Sequence, residues 1–460
     1  MAVIAFGAPG IARFHLHERL RRELLQNGHR AVVLCLDRVE HTFFRAQGGE
    51  AALIGPSAPD AMRAPLADLA ARECQRRGIA PNAPAFARTG GELRDRMARL
   101  LPTLVRWFEA ERPDLLFLHQ RRSSDHGLLQ FVALELGVRV LWTGDGLLPH
   151  TLQIDDRGLD GDASARRRAL ADFRVVTGEP SLIDACLTHL LARTTPAALT
   201  RREVVAPPVL ARGADALAAF SKGRPAEAWR AWSGWREALP SAARSHPLPI
   251  ALPEPPYATL LLQPHDDERV RLDSDAPITP RAAIEAAAVA VARLGGGTSL
   301  VVVAPETGID ERQLRGLRAP VPLHFAGAGD APEAAATAIA TITINHPGAA
   351  AALLAGTPVL HFGRALYGIE GATTATTTAG LADALPASLG RSPTTLRRRF
   401  LTWLFGHGHV WCSATDPDHN GLAGLVQTIE SRLGERSPGG LRLQYRAGPT
   451  WPLAAEGRDR

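Results

Sequence analysis

Lysine is almost missing from this 460-residue chain: Lys222 is the only one, and the other 51 basic residues are arginine. The 47 acidic residues are interspersed among them, so the net charge of +5 gathers into no basic block. That argues against a dedicated nucleic-acid binder and fits better a GC-rich coding sequence, abundant in Ala, Gly and Pro. Cysteine is scarce too. Cys35, Cys74, Cys186 and Cys412 stand far apart with no C-x-x-C pair, which argues against a disulfide framework and predicts reduced, mostly buried thiols. No uncharged apolar run reaches the roughly 18 residues of a membrane span. The longest candidate, AAIEAAAVAVARL, contains Glu285 and Arg293. The opening MAVIAFGAPG is too short for a signal segment and has no basic stretch before it. The sequence therefore predicts a cytoplasmic protein, at most peripheral at the inner face of the membrane.

What is present is globular: 45% hydrophobic and 22% charged residues, over a length that calls for two or three domains. Short β-branched runs alternate with amphipathic segments. VIAF (3–6) precedes a helical stretch from about Phe14 to Asn27, closed by Gly28, and then AVVLCL (31–36). DLLFLH (114–119) leads to a helix closed by Gly137 and to VRVLWTG (138–144). This is the rhythm of a parallel sheet with helices on both faces. Residues 196–256 break it with prolines from Pro207 to Pro256 and read as a connection. Within it Trp229, Trp232 and Trp235 recur every third residue, a stripe that packs on a domain or, alternatively, meets a membrane or an acceptor.

A second α/β rhythm starts at YATLLLQ (257–263). Thr279-Pro280 offers an N-cap and first-turn proline to a helix closed by Gly295. TSLVVVAP (298–305), VPLHFAG (321–327), ATITIN (340–345) and PVLHFG (358–363) follow. Gly295-Gly296-Gly297 comes between helix and strand, so it is a cap and loop; a phosphate cradle needs strand before helix. The expected organisation is a Rossmann-like N-terminal acceptor domain (1–195), the connection (196–256), a Rossmann-like donor domain (257–395) and a C-terminal helix and tail (396–460) packing back on the first domain. Two such domains would face a central cleft holding the site.

Three clusters carry chemistry. Asn345-His346-Pro347-Gly348 follows a strand and opens an Ala-rich helix ending near Gly356, where free amides and the helix dipole favour an anion. Gln263-Pro264-His265-Asp266-Asp267-Glu268-Arg269 follows the first strand of the second half, placing acids and an imidazole at a strand's carboxyl end; a solvated turn is the plainer alternative. His407-x-His409-x-x-Cys412 with His419 has zinc-type ligands, but its spacing matches no standard set. Separately, Leu396-Arg397-Arg398-Arg399-Phe400 near Trp403 and Phe405 combines cations with apolar anchors that suit an anionic membrane surface, or else forms a solvated helix face.

Taken together, several stretches resemble the bacterial capsular polysaccharide biosynthesis family. ITINHPGAAAALLAGTPVLHFGRALYGIEGAT (342–373) is similar to that family's N-S-T-x-G-x-x-A-L-x-x-G-x-P-V-x-x-x-G-R-A-x-Y-x-x-x-G-L-T signature. Asn345, Ala352, Leu353, Gly356, Pro358, Val359, Gly363, Arg364, Ala365, Tyr367, Gly371 and Thr373 fall in register. LQPHDDERV (262–270) is similar to l-Q-x-x-x-D-x-Q-i at Gln263 and Asp267. WTGDGLLPHTLQIDDRGLDGDAS (142–164) resembles the family's f-E-E-G-Y-L-R-P stretch at Asp145, Gly146, Leu148, Pro149, Asp155, Gly158 and Asp160, with His126 at the matching distance upstream of Gly146. The opening FHLHERLRRELLQNGHRAVVL is also similar.

The resemblance implies a GT-B-like fold with a C-terminal helix crossing back, and a retaining β-Kdo transferase using CMP-Kdo to extend a glycan or glycolipid acceptor. In that picture the turn at Asn345, His346 and Gly348 holds the donor phosphate. Arg269 and Arg364 clamp phosphate or sugar carboxylate, and Gln263, His265 and Tyr367 complete the donor site. Asp267 is the nucleophile of a double displacement, and Asp145 with His126 does acid/base work on the acceptor. No metal or other cofactor is expected. The chain also departs from the pattern: Ser-Thr is replaced by His346-Pro347, a glycine by Ala349, and the K-x-H-P after the second donor-half strand by VVAP (302–305). Those departures motivate two alternatives, a catalytically degenerate scaffold for polysaccharide assembly or export, and an enzyme using another nucleotide sugar.

Overall fold

A computed structural model describes residues 1–10, 13–36, 38–56, 90–119, 124–192, 252–264, 267–274, 278–305, 308–309, 314–390 and 395–434. The tryptophan stripe, most of the 196–256 connection and His265 lie outside the described residues. The described residues divide into two compact units, one built from 1–144 and 411–434, the other from 145–192 and 252–410.

The first unit holds five parallel strands: β1 (Val3–Gly7), β2 (Arg30–Cys35), β3 (Ala51–Leu53), β4 (Leu115–His119) and β5 (Arg139–Asp145). They lie in the order β3-β2-β1-β4-β5. β4 is buried at every residue, the near-continuous apolar reading of a sheet covered on both faces. The C-terminal helix His419–Gly434 returns to this unit and packs on helix Phe14–Gln26. His29 Nε2 meets Glu430 at 3.2 Å, and Arg139 donates to the Arg432 carbonyl.

The second unit begins with β6 (Leu152–Asp155), which pairs antiparallel with β13 (His409–Val410). Its main sheet contains β7 (Tyr257–Leu261), β8 (Ser299–Val303), β9 (Leu323–Ala326), β10 (Ala340–Thr343), β11 (Val359–His361) and β12 (Thr374–Ala375). All pairs are parallel, in the order β12-β11-β10-β7-β8-β9. Alternation along the strands separates two cores: Tyr257, Leu261, Val301 and Val303 enter one, Ala258, Leu260, Leu300 and Val302 the other. Local signals behave as their chemistry dictates. Thr279 Oγ1 accepts from Ala282 N at 3.2 Å to start helix Pro280–Ala292. Gly356 closes helix Ala349–Ala355 at φ +89°, a left-handed turn that a side chain would strain.

Both orders are Rossmann-like: 3-2-1-4-5 in the first sheet and, counted from β7, 6-5-4-1-2-3 in the second. Each reverses once, between β1 and β4 and between β7 and β10. Loops leaving the carboxyl ends of such a pair run in opposite directions and leave a crevice suited to a ligand. The two-sheet α/β composition expected from the sequence is therefore present.

Candidate active site

The second unit places its chemistry at the reversal between β7 and β10. The loop after β7 supplies Gln263, Asp267 and Arg269; the loop after β10 supplies Asn345, His346 and Gly348. Asp267 caps the short helix Glu268–Asp273, its Oδ1 accepting the Arg269 amide at 2.8 Å. Its Oδ2 accepts from Gln263 Nε2 at 3.3 Å. Gln263 Oε1 accepts the Asn345 amide at 3.1 Å, and Asn345 Nδ2 donates to the Arg269 carbonyl at 2.9 Å. Gln263 and Asn345 are buried. One continuous run of hydrogen bonds thus ties the two loops together and holds the Asp267 carboxylate in a fixed orientation. Asn345 Oδ1 is buried and has no hydrogen-bond partner among the described residues.

The helix start after β10 differs from the sequence expectation. His346 N donates to Thr343 Oγ1 at 2.9 Å, and Gly348 N donates to His346 Nδ1 at 2.9 Å. The Ala349, Ala350 and Ala351 amides reach the carbonyls of His346, Pro347 and Gly348. With the Asn345 amide on Gln263, every N–H from Asn345 to Ala351 is engaged internally (Pro347 has none). A donor phosphate at this turn would find side chains, not free amides. His346 supplies one such side chain. Burial first, and then the Arg269 cation, push its pKa down to about 4, so it is neutral at pH 7. Because Nδ1 accepts from Gly348, the proton sits on Nε2, leaving an uncharged N–H donor. The fully buried Tyr367 donates to the His346 carbonyl at 3.0 Å, and burial raises its pKa.

Both arginines assigned as clamps have acidic partners. Arg269 Nε meets Asp160 Oδ1 at 3.0 Å and its Nη2 donates to the Asp145 carbonyl at 3.2 Å. Asp160 above all, with Asp267 and Asp145, raises the Arg269 pKa and keeps it charged. Arg364 Nη1 meets Asp162 at 3.1 Å and Nη2 meets Asp273 at 3.3 Å. Asp160, Asp162 and Asp273 were not singled out as site residues in the sequence. The signal for the first two was the density of acids in IDDRGLDGD and, for Asp160, its place in the 142–164 resemblance, neither of which says where they pair; nothing marked Asp273.

Asp145 is exposed, and its backbone carbonyl accepts from Arg269 Nη2. His126 belongs to the first unit, where Nε2 donates to the Ala8 carbonyl at 3.0 Å and burial lowers its pKa. His409 is not arranged as a metal ligand. Its Nε2 accepts the Leu147 amide at 3.0 Å and its Nδ1 bonds the Leu404 carbonyl at 2.8 Å, so both nitrogens are engaged. Of the residues proposed to approach lipid, Phe400 and Phe405 lie in the core, and buried Arg397 donates to the Leu353 and Thr357 carbonyls at the end of helix Ala349–Ala355. Two of the expected apolar anchors are therefore core residues, while Leu396 and Trp403 are half-buried. Among the described residues no helix is long and apolar enough to cross a membrane.

No protein-family model matches the chain. No curated protein matches it in sequence. Among solved structures it is similar to a spinosyn rhamnosyltransferase, SpnG, complexed with spinosyn aglycone, at 15% identity over 94% of this chain and 100% of that one, with a TM-score of 0.31. It is similar to KpsC, a β-Kdo 2,7 transferase of Thermosulfurimonas dismutans, at 11% identity over 72% and 90%, with a TM-score of 0.36. It is also similar to the UDP-GlcNAc 2-epimerase of Methanocaldococcus jannaschii, at 11% identity over 93% and 99%, with a TM-score of 0.31. Overlaps this weak carry no argument about function, and the fold assignment rests on the two strand orders.

Proposed function

We propose that the chain is a retaining glycosyltransferase in which Asp267 is the nucleophile and an acidic 2-keto sugar of the Kdo type, activated by CMP, is the donor. The observation that carries this reading is the run Asp267–Gln263–Asn345, which sets a carboxylate at the reversal of a Rossmann-like sheet with both oxygens oriented by neighbours. The resemblance of 342–373 and 262–270 to the capsular family supports the same assignment.

In this reading, Asp267 attacks the anomeric carbon as the bond to the CMP phosphate breaks. The Nε2–H of His346 donates to the departing phosphate, an uncharged donor where the family has hydroxyls. Arg269 and Arg364 balance the anionic charge of donor and leaving group. Water or an acceptor hydroxyl, deprotonated by Asp145, then displaces the sugar from Asp267, and two inversions give retention. His126 holds the loop after β1 through the Ala8 carbonyl in the first unit. The acceptor is a surface glycan or glycolipid hydroxyl, and the reading calls for no metal.

The test is turnover of CMP-Kdo against a panel of nucleotide sugars by the wild type and Asp267→Asn. The substitution keeps size and one oxygen acceptor, and turnover should fall on the order of 10³-fold or more. Undiminished turnover by that variant removes Asp267 from the mechanism. Turnover with a different nucleotide sugar alone replaces the donor and keeps the reaction class.

A further inference from the structure

The two arginines of this site already hold three carboxylates, two of them from one short stretch of the same unit. That stretch leaves β6 at Asp155, whose carboxylate ties its base. Oδ1 accepts the amides of Arg157 and Gly158 at 2.8 and 3.1 Å; Oδ2 accepts the amide and hydroxyl of Ser164 at 2.8 and 2.7 Å. Beyond the base, the tip Asp160–Asp162 is seated by charge, Asp160 on Arg269 and Asp162 on Arg364. Asp273 grips Arg364 as well, but its side chain is 0% exposed, whereas those of Asp160 and Asp162 are 18% and 26% exposed. Each arginine therefore has one solvent-reachable carboxylate on the tip. The tip is also strained: Asp160 sits at φ +50°, a left-handed conformation unusual for a non-glycine residue. Its two ion pairs share no group with the Asp155 anchor.

We propose that Asp160 and Asp162 are an internal substitute for a ligand's two anionic groups: they hold Arg269 and Arg364 in the unliganded protein and yield them to a ligand that carries two such groups, as a phosphodiester with a sugar carboxylate does. The inference rests on the donor-site reading and adds regulation and ligand class to it. The exchange is balanced in charge. Two carboxylates pass to water and regain hydration while two ligand anions take their places, so the guanidinium groups are never left unpaired. A ligand with a single anion frees only one arginine and gains less. The tip thus selects for doubly anionic ligands and sets the concentration at which they enter.

Calorimetric titration of the full chain with pyrophosphate, and with inorganic phosphate as the smaller anion, tests this. The double variant Asp160→Asn, Asp162→Asn keeps side-chain size, and asparagine tolerates the left-handed backbone. It should bind pyrophosphate about tenfold more tightly than the wild type at low salt, with a smaller gain for phosphate. The gain should vanish when Arg269→Gln and Arg364→Gln are added. In the wild type, pyrophosphate should speed hydrogen exchange at the amides of residues 159–163, and this measurement decides the matter if the double variant does not fold. Equal affinities, a gain that survives loss of both arginines, no binding of pyrophosphate by either protein, or unchanged exchange with pyrophosphate bound overturns the proposal. CMP-Kdo turnover is read separately. Its absence, with the pyrophosphate behaviour intact, refutes glycosyl transfer and leaves the exchange standing; turnover with unchanged affinities does the reverse.

Discussion

The two sheets share a strand order and differ in what they carry where it reverses. In the first, the chain after β1 passes through Ala8 at φ +43°, and its neighbours are imidazoles and the buried carboxylate of Glu40, which accepts the Gly10 amide at 2.7 Å. His126 holds the Ala8 carbonyl, and His17 packs edge-on against Phe6, Phe117 and His119. Burial pushes the His17 pKa down to about 4 and lowers that of His126, so at pH 7 both rings are neutral. In the second, a carboxylate, two guanidinium groups, a neutral histidine and two buried amide side chains form one connected arrangement. Strand order decides where a crevice opens; the side chains on two loops decide what fills it.

Acid should have the largest effect on the buried ring of the first sheet. His17 is neutral when folded and has an ordinary pKa near 6.5 when unfolded, so between those values the unfolded chain binds more protons. Stability is then lost as pH falls from 6.5 toward 4, by up to about 3 kcal/mol for a fully buried ring. His17→Gln should flatten the dependence of unfolding free energy on pH in that window by close to one proton, measured by denaturant unfolding at stepped pH. An unchanged slope would mean that His17 titrates normally in the folded protein.

Glycine substitutions sharpen the comparison next. A Cβ at Gly161 would overlap Asp273 Oδ1 and come within 2.8 Å of the Arg364 carbonyl, neither of which can move without loosening an ion pair. A Cβ at Gly7 meets the ends of Leu118 and Leu129, side chains able to turn aside. Gly161→Ala should cost about 2–3 kcal/mol and Gly7→Ala under about 1 kcal/mol. Equal costs would show that the acidic tip is not tightly seated. A smaller effect is expected from Gln263→Ala, which leaves the buried Asn345 amide without its acceptor, about 1–2 kcal/mol by chemical denaturation. The smallest belongs to Asp145→Asn. The residue is exposed, so stability should move by less than about 0.5 kcal/mol. Turnover should fall on the order of 10²-fold if its carboxylate is the acid/base. A loss of stability without a loss of turnover would reverse that assignment.

The sheets were legible because parallel strands buried on both faces read as unbroken apolar runs. Caps such as Thr279 and Gly356 were legible because their geometry admits few residue types. Both loops of the candidate site were also visible, since a strand's end followed by a helix start is a local pattern. What occupies the amides after β10 was not. Thr343 Oγ1 and His346 Nδ1 fill them through side-chain rotamers that the sequence does not specify. Nor were the tip's ion pairs, since Asp160 and Arg269 are 109 residues apart, and Asp162 and Arg364 are 202 apart. Nor was the seating of Leu396–Phe400: cations beside aromatics do not say which side chains turn inward, and Arg397, Phe400 and Phe405 do.

In the proposed mechanism Asp267 forms a covalent bond to the sugar. Rapid quenching of the wild-type chain with CMP-Kdo, digestion and mass analysis should find one sugar residue added to the peptide that contains Asp267, and none in Asp267→Asn. Steady turnover of donor with that peptide unmodified at every quench time, or an adduct on a different carboxylate, would contradict it.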